Sequence, residues 1–330
     1  DRYNAIENAV RQRQSAVNET APALRGLPDS HTSRELKVIA LTEPLTLDRW
    51  HERVEQINRT ARREYHAQIL KRGGQVRNLF FKAGAISTRQ MPQDLLMNTA
   101  GDPGRRCYPL ALLTASALAQ DESAERALIG RVANAGKTPD DADSRALLLA
   151  LDELHQTPVT DHGTALGLHG VEGVVQMLQA KTAPAVMLLD TGNHALLVAK
   201  VMQGDTPVFR FYDPNFAIFG FAGAPELTLG MALYLSAGKS AMARLYGLDD
   251  IAKAQFNVIE LNTTKIADTV LSSNLRLDSF LHSEAITDIQ GVSVWGKQAL
   301  GRTRSLNENA RMGASLAQLD ARYWTQEFAQ

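Results

Sequence analysis

A single cysteine in 330 residues rules out an internal disulfide. The fold therefore owes nothing to oxidation and suits a reducing compartment, where a free thiol persists. An excess of charge is missing as well. Lys+Arg 35 against Asp+Glu 36 gives a formal net charge of -1, which argues against a nucleic-acid binder with a strongly basic face. No apolar run approaches the roughly 18 residues that cross a bilayer, and no basic-then-apolar signal segment opens the chain. A serine-hydrolase elbow, a dinucleotide fingerprint, internal repeats and low-complexity tracts are all absent. Gly130 to Thr138 resembles a phosphate loop but has five residues between its glycines instead of four, and no strand precedes it.

What remains is enough for a real core: 44% of residues are hydrophobic, and the length allows one large or two modest domains. The chain opens on Asp1 and not Met, as expected of a trimmed chain or a piece released from something larger. Residues 1–30 read as a loosely held, helix-prone lead-in. From Leu47 to Leu70, Trp50, Val54, Ile57, Ala61, Tyr65 and Ile69 recur at the spacing of an amphipathic helix, which Gly73-Gly74 is expected to end. Its other face carries Arg49, Arg53, Arg59, Arg62, Arg63, Lys71 and Arg72 among fewer acids. A solvated helix face is the ordinary reading; a partner or anionic-lipid surface is the alternative.

A turn-rich stretch, Gly101-Asp102-Pro103-Gly104, precedes the cysteine, and Pro109–Ala119 then reads as a buried, alanine-rich helix. Further helices are expected at Glu122–Ala135, Ala146–Leu154, 170–180, Gly230–Leu245 and Asn307–Phe328. Short apolar runs at Ala185–Asp190, His194–Val201 and Val208–Asp213 read as consecutive antiparallel strands, with Phe256–Leu261 one more. The class is α+β, helices first and a meander sheet later. The expected divisions are a helical N-terminal region at 1–95, a catalytic core at 96–262 and a mostly helical extension at 263–330.

A thiolate attacks a carbonyl where a thiol does not, so a catalytic cysteine needs surroundings that lower its pKa. Cys107 lies at the N-terminal edge of the expected helix, whose unpaired amides favour negative charge, and directly follows Arg105 and Arg106. Of eight histidines, His194 is best placed to be its imidazolium partner, because it opens a strand directly after Thr191-Gly192-Asn193. The next strand ends in Asp213. If Val201 faces Val208 across the hairpin, His194 faces Asn215 and is diagonal to Asp213, within reach. A slip of two residues would put the pair directly opposite, and a slip of one on opposite faces. Nucleophile, base and orienting acid thus fall in the order Cys107, His194, Asp213. The backbone N–H of Cys107 is the first oxyanion donor to consider, with Asn98 or Gln93 as the second.

Each residue has a blander reading: a lone cysteine is usually a small buried hydrophobe, a strand-end histidine is structural, and an aspartate caps its turn. Their combination raises the catalytic reading above these. His155, His162 and His169 recur every seven residues, but Pro158 and Gly163 interrupt any helix there, so ordinary loop histidines are expected, with no metal and no cofactor.

Arg106-Cys107-Tyr108 resembles the Arg-Cys-Asp/Tyr signature of the makes-caterpillars-floppy-like effectors of multifunctional autoprocessing repeats-in-toxin (MARTX) proteins. Gly192-Asn193-His194-Ala195 and Tyr212-Asp213-Pro214-Asn215 are similar to the histidine and aspartate segments of YopT-type papain-like cysteine peptidases. The likeness covers roughly residues 100–220, and the related Domain X effector of the same toxins shares these traits. It implies a papain-like core and an autoprocessing endopeptidase, carried in a larger toxin secreted by a bacterium and acting in the host cytosol, with endomembranes as a candidate surface there. It implies stimulation by a host ADP-ribosylation factor GTPase. Its implied substrates are the effector's own N-terminal segment and host small GTPases. The alternative is a non-catalytic module docking on a GTPase or an anionic membrane through the Arg49–Arg72 face.

Overall fold

The computed structural model describes residues 67, 70, 71, 73–96, 106–138, 141–236, 241–248 and 254–287. All but residue 67 belong to one compact unit, Leu70–Leu96 with Gly104–Val292. The basic helix face at Arg49–Arg72, Lys71 apart, and the helix expected at Asn307–Phe328 lie outside the described residues.

Gly73 and Gly74, expected to end a helix, lie inside one: α1 occupies 73–82. Gly73 serves packing there, because a Cβ on it would lie 3.1 Å from the Gln90 side-chain nitrogen, which itself donates to the Leu70 carbonyl at 3.2 Å. Strand β1 (Ala85–Gln90) and a 3-10 turn (Gln93–Leu96) follow. Helix α2 (Cys107–Gln120) is buried on every side from Pro109 to Leu118, as its apolar, alanine-rich sequence requires. Its two fully buried hydroxyls are satisfied: Thr114 donates to the Leu110 carbonyl and Ser116 to that of Thr263. Helix α3 (Glu122–Lys137) starts where Asp121 accepts from the Ala124 N–H, and α4 (Ala142–His155) where Asp141 accepts from that of Ser144. The phosphate-loop lookalike therefore lies largely within α3.

Strand β2 (Gly163–His169), helix α5 (Val171–Ala180) and strands β3 (Ala185–Asp190), β4 (Ala195–Gln203), β5 (Thr206–Asp213) and β6 (Ala217–Phe221) come next. Helix α6 (Ala224–Tyr234) begins six residues before its expected start, with Pro225 in its first turn. Helix α7 (Ala241–Leu245), strand β7 (Phe256–Leu261), helix α8 (Thr263–Ala267) and a 3-10 turn at Leu277–Leu281 complete the described residues.

The strands form one antiparallel sheet in the order β1-β6-β5-β4-β3-β7-β2. The β3 to β5 meander and β7 are the expected strands; β1, β2 and β6 were not expected. Because α2 covers one face of β3 and β4 and α5 the other, these strands read as continuous apolar runs with no alternation. Val186, Leu188, Leu197, Ala199 and Tyr212 join the core under α2. On the opposite face Phe80 of α1 stacks on Phe219 with ring centroids 4.1 Å apart and meets Phe211 and Tyr234. Asp213 lies at the end of β5, beside that aromatic layer.

Candidate active site

Three segments converge at one end of the sheet. Cys107 is the first residue of α2, where backbone N–H groups have no partner within the helix. His194 immediately precedes β4, in a turn whose Thr191 N–H donates to the His194 carbonyl and whose Thr191 hydroxyl accepts the His194 N–H. Asp213 closes β5 in an Asx turn, accepting the Asn215 N–H at 2.9 Å. The observed register pairs Val201 with Val208, the pairing used in the sequence reading, and the diagonal contact results: His194 Nε2 donates to Asp213 Oδ1 at 2.9 Å.

That bond leaves Nδ1 of His194 toward the thiol, and the two side chains are hydrogen-bonded. Cys107 is half-buried, whereas His194 is buried and Asp213 has no exposure at all. Burial pushes the Cys107 thiol up; the His194 imidazole, through its hydrogen bond and its charge, and the backbone N–H groups of Ala195 and Tyr108 outweigh that and hold it below its ordinary value. Burial pushes His194 down, but the Asp213 charge and hydrogen bond, with help from Cys107, raise it to about 9. Burial also works against ionised Asp213, and the His194 charge and hydrogen bond, the Tyr246 hydroxyl and the Asn215 N–H keep it below the usual carboxylate range. The three groups favour a thiolate, an imidazolium and a carboxylate in a row.

Two residues that the sequence reading missed complete the surroundings of Asp213. Tyr234 and Tyr246 both donate to Oδ2, at 2.7 and 2.6 Å. Burial, and after it the charge of Asp213, pushes both phenols well above their ordinary range, so both keep the proton they donate. Tyr246 also stacks on His194, with centroids 4.3 Å apart and planes 12° from parallel. No spacing signal marks either tyrosine: Tyr234 falls inside the helix expected at Gly230–Leu245, and Tyr246 directly follows it.

Gln93, the alternative oxyanion donor, arrives because the segment after β1 continues along the turn after β5: the Met91 N–H donates to the Phe216 carbonyl and that of Gln93 to Pro214. Its side-chain oxygen accepts the Arg106 N–H at 3.0 Å, and its nitrogen donates to Asn215 Oδ1 at 2.6 Å. Asn98 and Arg105 lie outside the described residues. Arg106 is turned to structure, its guanidinium donating to the Leu96 carbonyl and to Asp152. The Tyr108 hydroxyl donates to the Thr157 carbonyl and is pushed up to about 12, chiefly by burial. His155, His162 and His169 stand on three different segments, and among the described residues no three His, Cys, Asp or Glu side chains are grouped to hold a metal ion.

A helix-borne cysteine facing a histidine and an aspartate carried by an antiparallel sheet defines a cysteine-protease-like α+β domain. The chain shares its fold with the crystal structure of PatoxP, a cysteine protease-like domain of the Photorhabdus asymbiotica toxin PaTox. The TM-score is 0.52 at 16% identity, over 75% of this chain and 76% of that one. Residues 4–291 match the family described as the Mcf1 protease effector domain, and the chain belongs to that family. It is also 28% identical, over 52% of its length, to a multifunctional-autoprocessing repeats-in-toxin protein of Vibrio vulnificus, of which the match spans 4%.

Proposed function

We propose that this chain is a cysteine endopeptidase that works through a thioester on Cys107. The thiolate attacks the substrate carbonyl; the carbon–nitrogen bond breaks as imidazolium His194 gives its proton to the leaving amine. Neutral His194 then takes a proton from water, which attacks the thioester, releasing the new carboxyl terminus and the thiol. Asp213 keeps Nε2 of the ring protonated and Nδ1 toward sulfur. The Cys107 N–H and the Gln93 amide are the donors for the oxyanion. The observation that carries this reading is the buried His194–Asp213 pair hydrogen-bonded to the chain's one cysteine at a helix N-terminus.

The substrates proposed are the effector's own N-terminal segment and host small GTPases, with an ADP-ribosylation factor GTPase as activator. The place of action is the host cytosol, with endomembranes as the candidate surface there, after delivery in a larger toxin. These rest on the resemblance of the Arg106-Cys107-Tyr108, His194 and Asp213 segments and on membership of a protease effector family. A longer precursor incubated with the GTP-bound activator should be cut, and Cys107→Ala and His194→Ala should each slow the cut by a factor on the order of 1,000 or more without loss of fold. Cleavage by Cys107→Ala at the parental rate would remove the cysteine from the mechanism.

A further inference from the structure

Tyr246 makes more contacts with the site than a core tyrosine needs. Its hydroxyl donates to Asp213 Oδ2 and accepts from Asn215 Nδ2 at 2.9 Å, while its ring lies flat on the His194 imidazole. The ring is also registered by its own backbone. Asn193 Nδ2, one residue before His194, donates to the Leu245 carbonyl at 3.1 Å, so α7 is clipped to the histidine turn. The helix closes just past Tyr246, where Gly247 takes φ +73 and the Leu248 N–H reaches back to the Ala243 carbonyl at 2.7 Å. Tyr234 offers the internal comparison: it donates to the same carboxylate oxygen, but its ring packs on Phe80, Phe211 and Phe216 and makes no stack on the imidazole.

We propose that Tyr246 is a positioning residue of this site, fixing the plane of the His194 ring by stacking and tethering that stack to Asp213 through its hydroxyl. The proposal rests on the cysteine-peptidase reading above. Two physical effects act together. An electron-rich phenol face favours the charged form of the ring that covers it. A ring held between a stack on one side and a carboxylate at its edge has one orientation, which keeps Nδ1 on the sulfur. Loss of either support lets the imidazole turn, and the thiolate loses its counter-charge.

The test uses the full chain, iodoacetamide as probe, and alkylation of Cys107 at about pH 6 and about pH 10 in the parent, Tyr246→Phe, Tyr246→Leu, Tyr234→Phe and His194→Ala. At about pH 6 the rate should fall about threefold in Tyr246→Phe and about tenfold in Tyr246→Leu, the scale of a lost aromatic pair with its tether. The fall in Tyr234→Phe should be smaller than in Tyr246→Phe. At about pH 10 an ordinary thiol is ionised, so all rates should converge. The Phe variant differs by one oxygen and carries the test if the Leu variant does not fold. A parental rate at the lower pH in Tyr246→Phe, or an equal fall in Tyr234→Phe, overturns the inference while a slowed His194→Ala leaves the peptidase reading standing. A parental rate in His194→Ala overturns both.

Discussion

Asp213 is completely buried and still favours its charge, because one imidazole, two phenols and one backbone amide all donate to it. The cost of removing a carboxylate from water is of several kcal/mol, and charge-assisted hydrogen bonds of this number and an imidazolium in contact are what offset it. The consequence for stability has a defined pH window. His194 is raised from 6.5 to about 9, so its contribution is complete below 6.5 and is lost as pH rises through about 9. Asp213 is depressed below 3.8, so its contribution is complete above that value and is lost as pH falls further. Asp213→Asn should therefore destabilise the fold by about 3 kcal/mol in urea unfolding between about pH 4 and about pH 6.5. The deficit should shrink above about pH 9. A deficit independent of pH would mean that the pair is not charged. At the same scale Cys107 shows two opposed effects, burial against imidazolium, and the imidazolium with two amides prevails.

At the scale of elements, the hairpin of β4 and β5 converts sequence into a site. Gly204 at φ +59 supplies the backbone of its turn, and the Val201–Val208 pairing that follows brings His194 and Asp213 together. A one-residue slip would have parted them. The two runs were legible because Gly-Asn and Gly-Asp bound them; their register was assumed, and the observed Val201–Val208 pairing matches that assumption. Strands β1, β2 and β6 were not legible. AISTRQ is polar, GTALGLH carries two glycines on a largely exposed edge, and AIFGF is short and follows Asp213 within a few residues. Their positions are set by pairing partners far along the chain. Gly163 of β2 is one such constraint: a Cβ there would lie 2.5 Å from the Glu260 carbonyl oxygen, which is backbone and cannot yield. At Gly220 the atoms met, at 2.2 and 2.7 Å, are the ends of the Ser87 and Arg210 side chains, which can turn aside. Gly163→Ala should cost about 2 to 3 kcal/mol in urea unfolding and Gly220→Ala clearly less. The reverse order would show that β2 yields as a unit.

Over the whole molecule, the site exists because two helix layers on one sheet bring residues 107, 194, 213 and 246 to one end of it. The first three stand at punctuation, a helix start, a strand start and a strand end, and so could be found in combination, although each alone has a blander reading. Tyr246 could not, because its function comes from the clip between Asn193 and the end of α7, a tertiary contact with no local sequence signal. Gln93 is intermediate: it could be named as a donor, but the strand pairing that delivers it could not. The central claim, a thiolate made at Cys107 by His194, is tested most directly by the ultraviolet absorbance of the thiolate, read as the difference between the parent and Cys107→Ala across pH. With one cysteine in the chain, the signal belongs to one group. Ionisation below the ordinary 9.0 in the parent, moving up in His194→Ala, is the predicted result; a parental thiol that titrates at its ordinary value and is unmoved by loss of His194 would contradict the account.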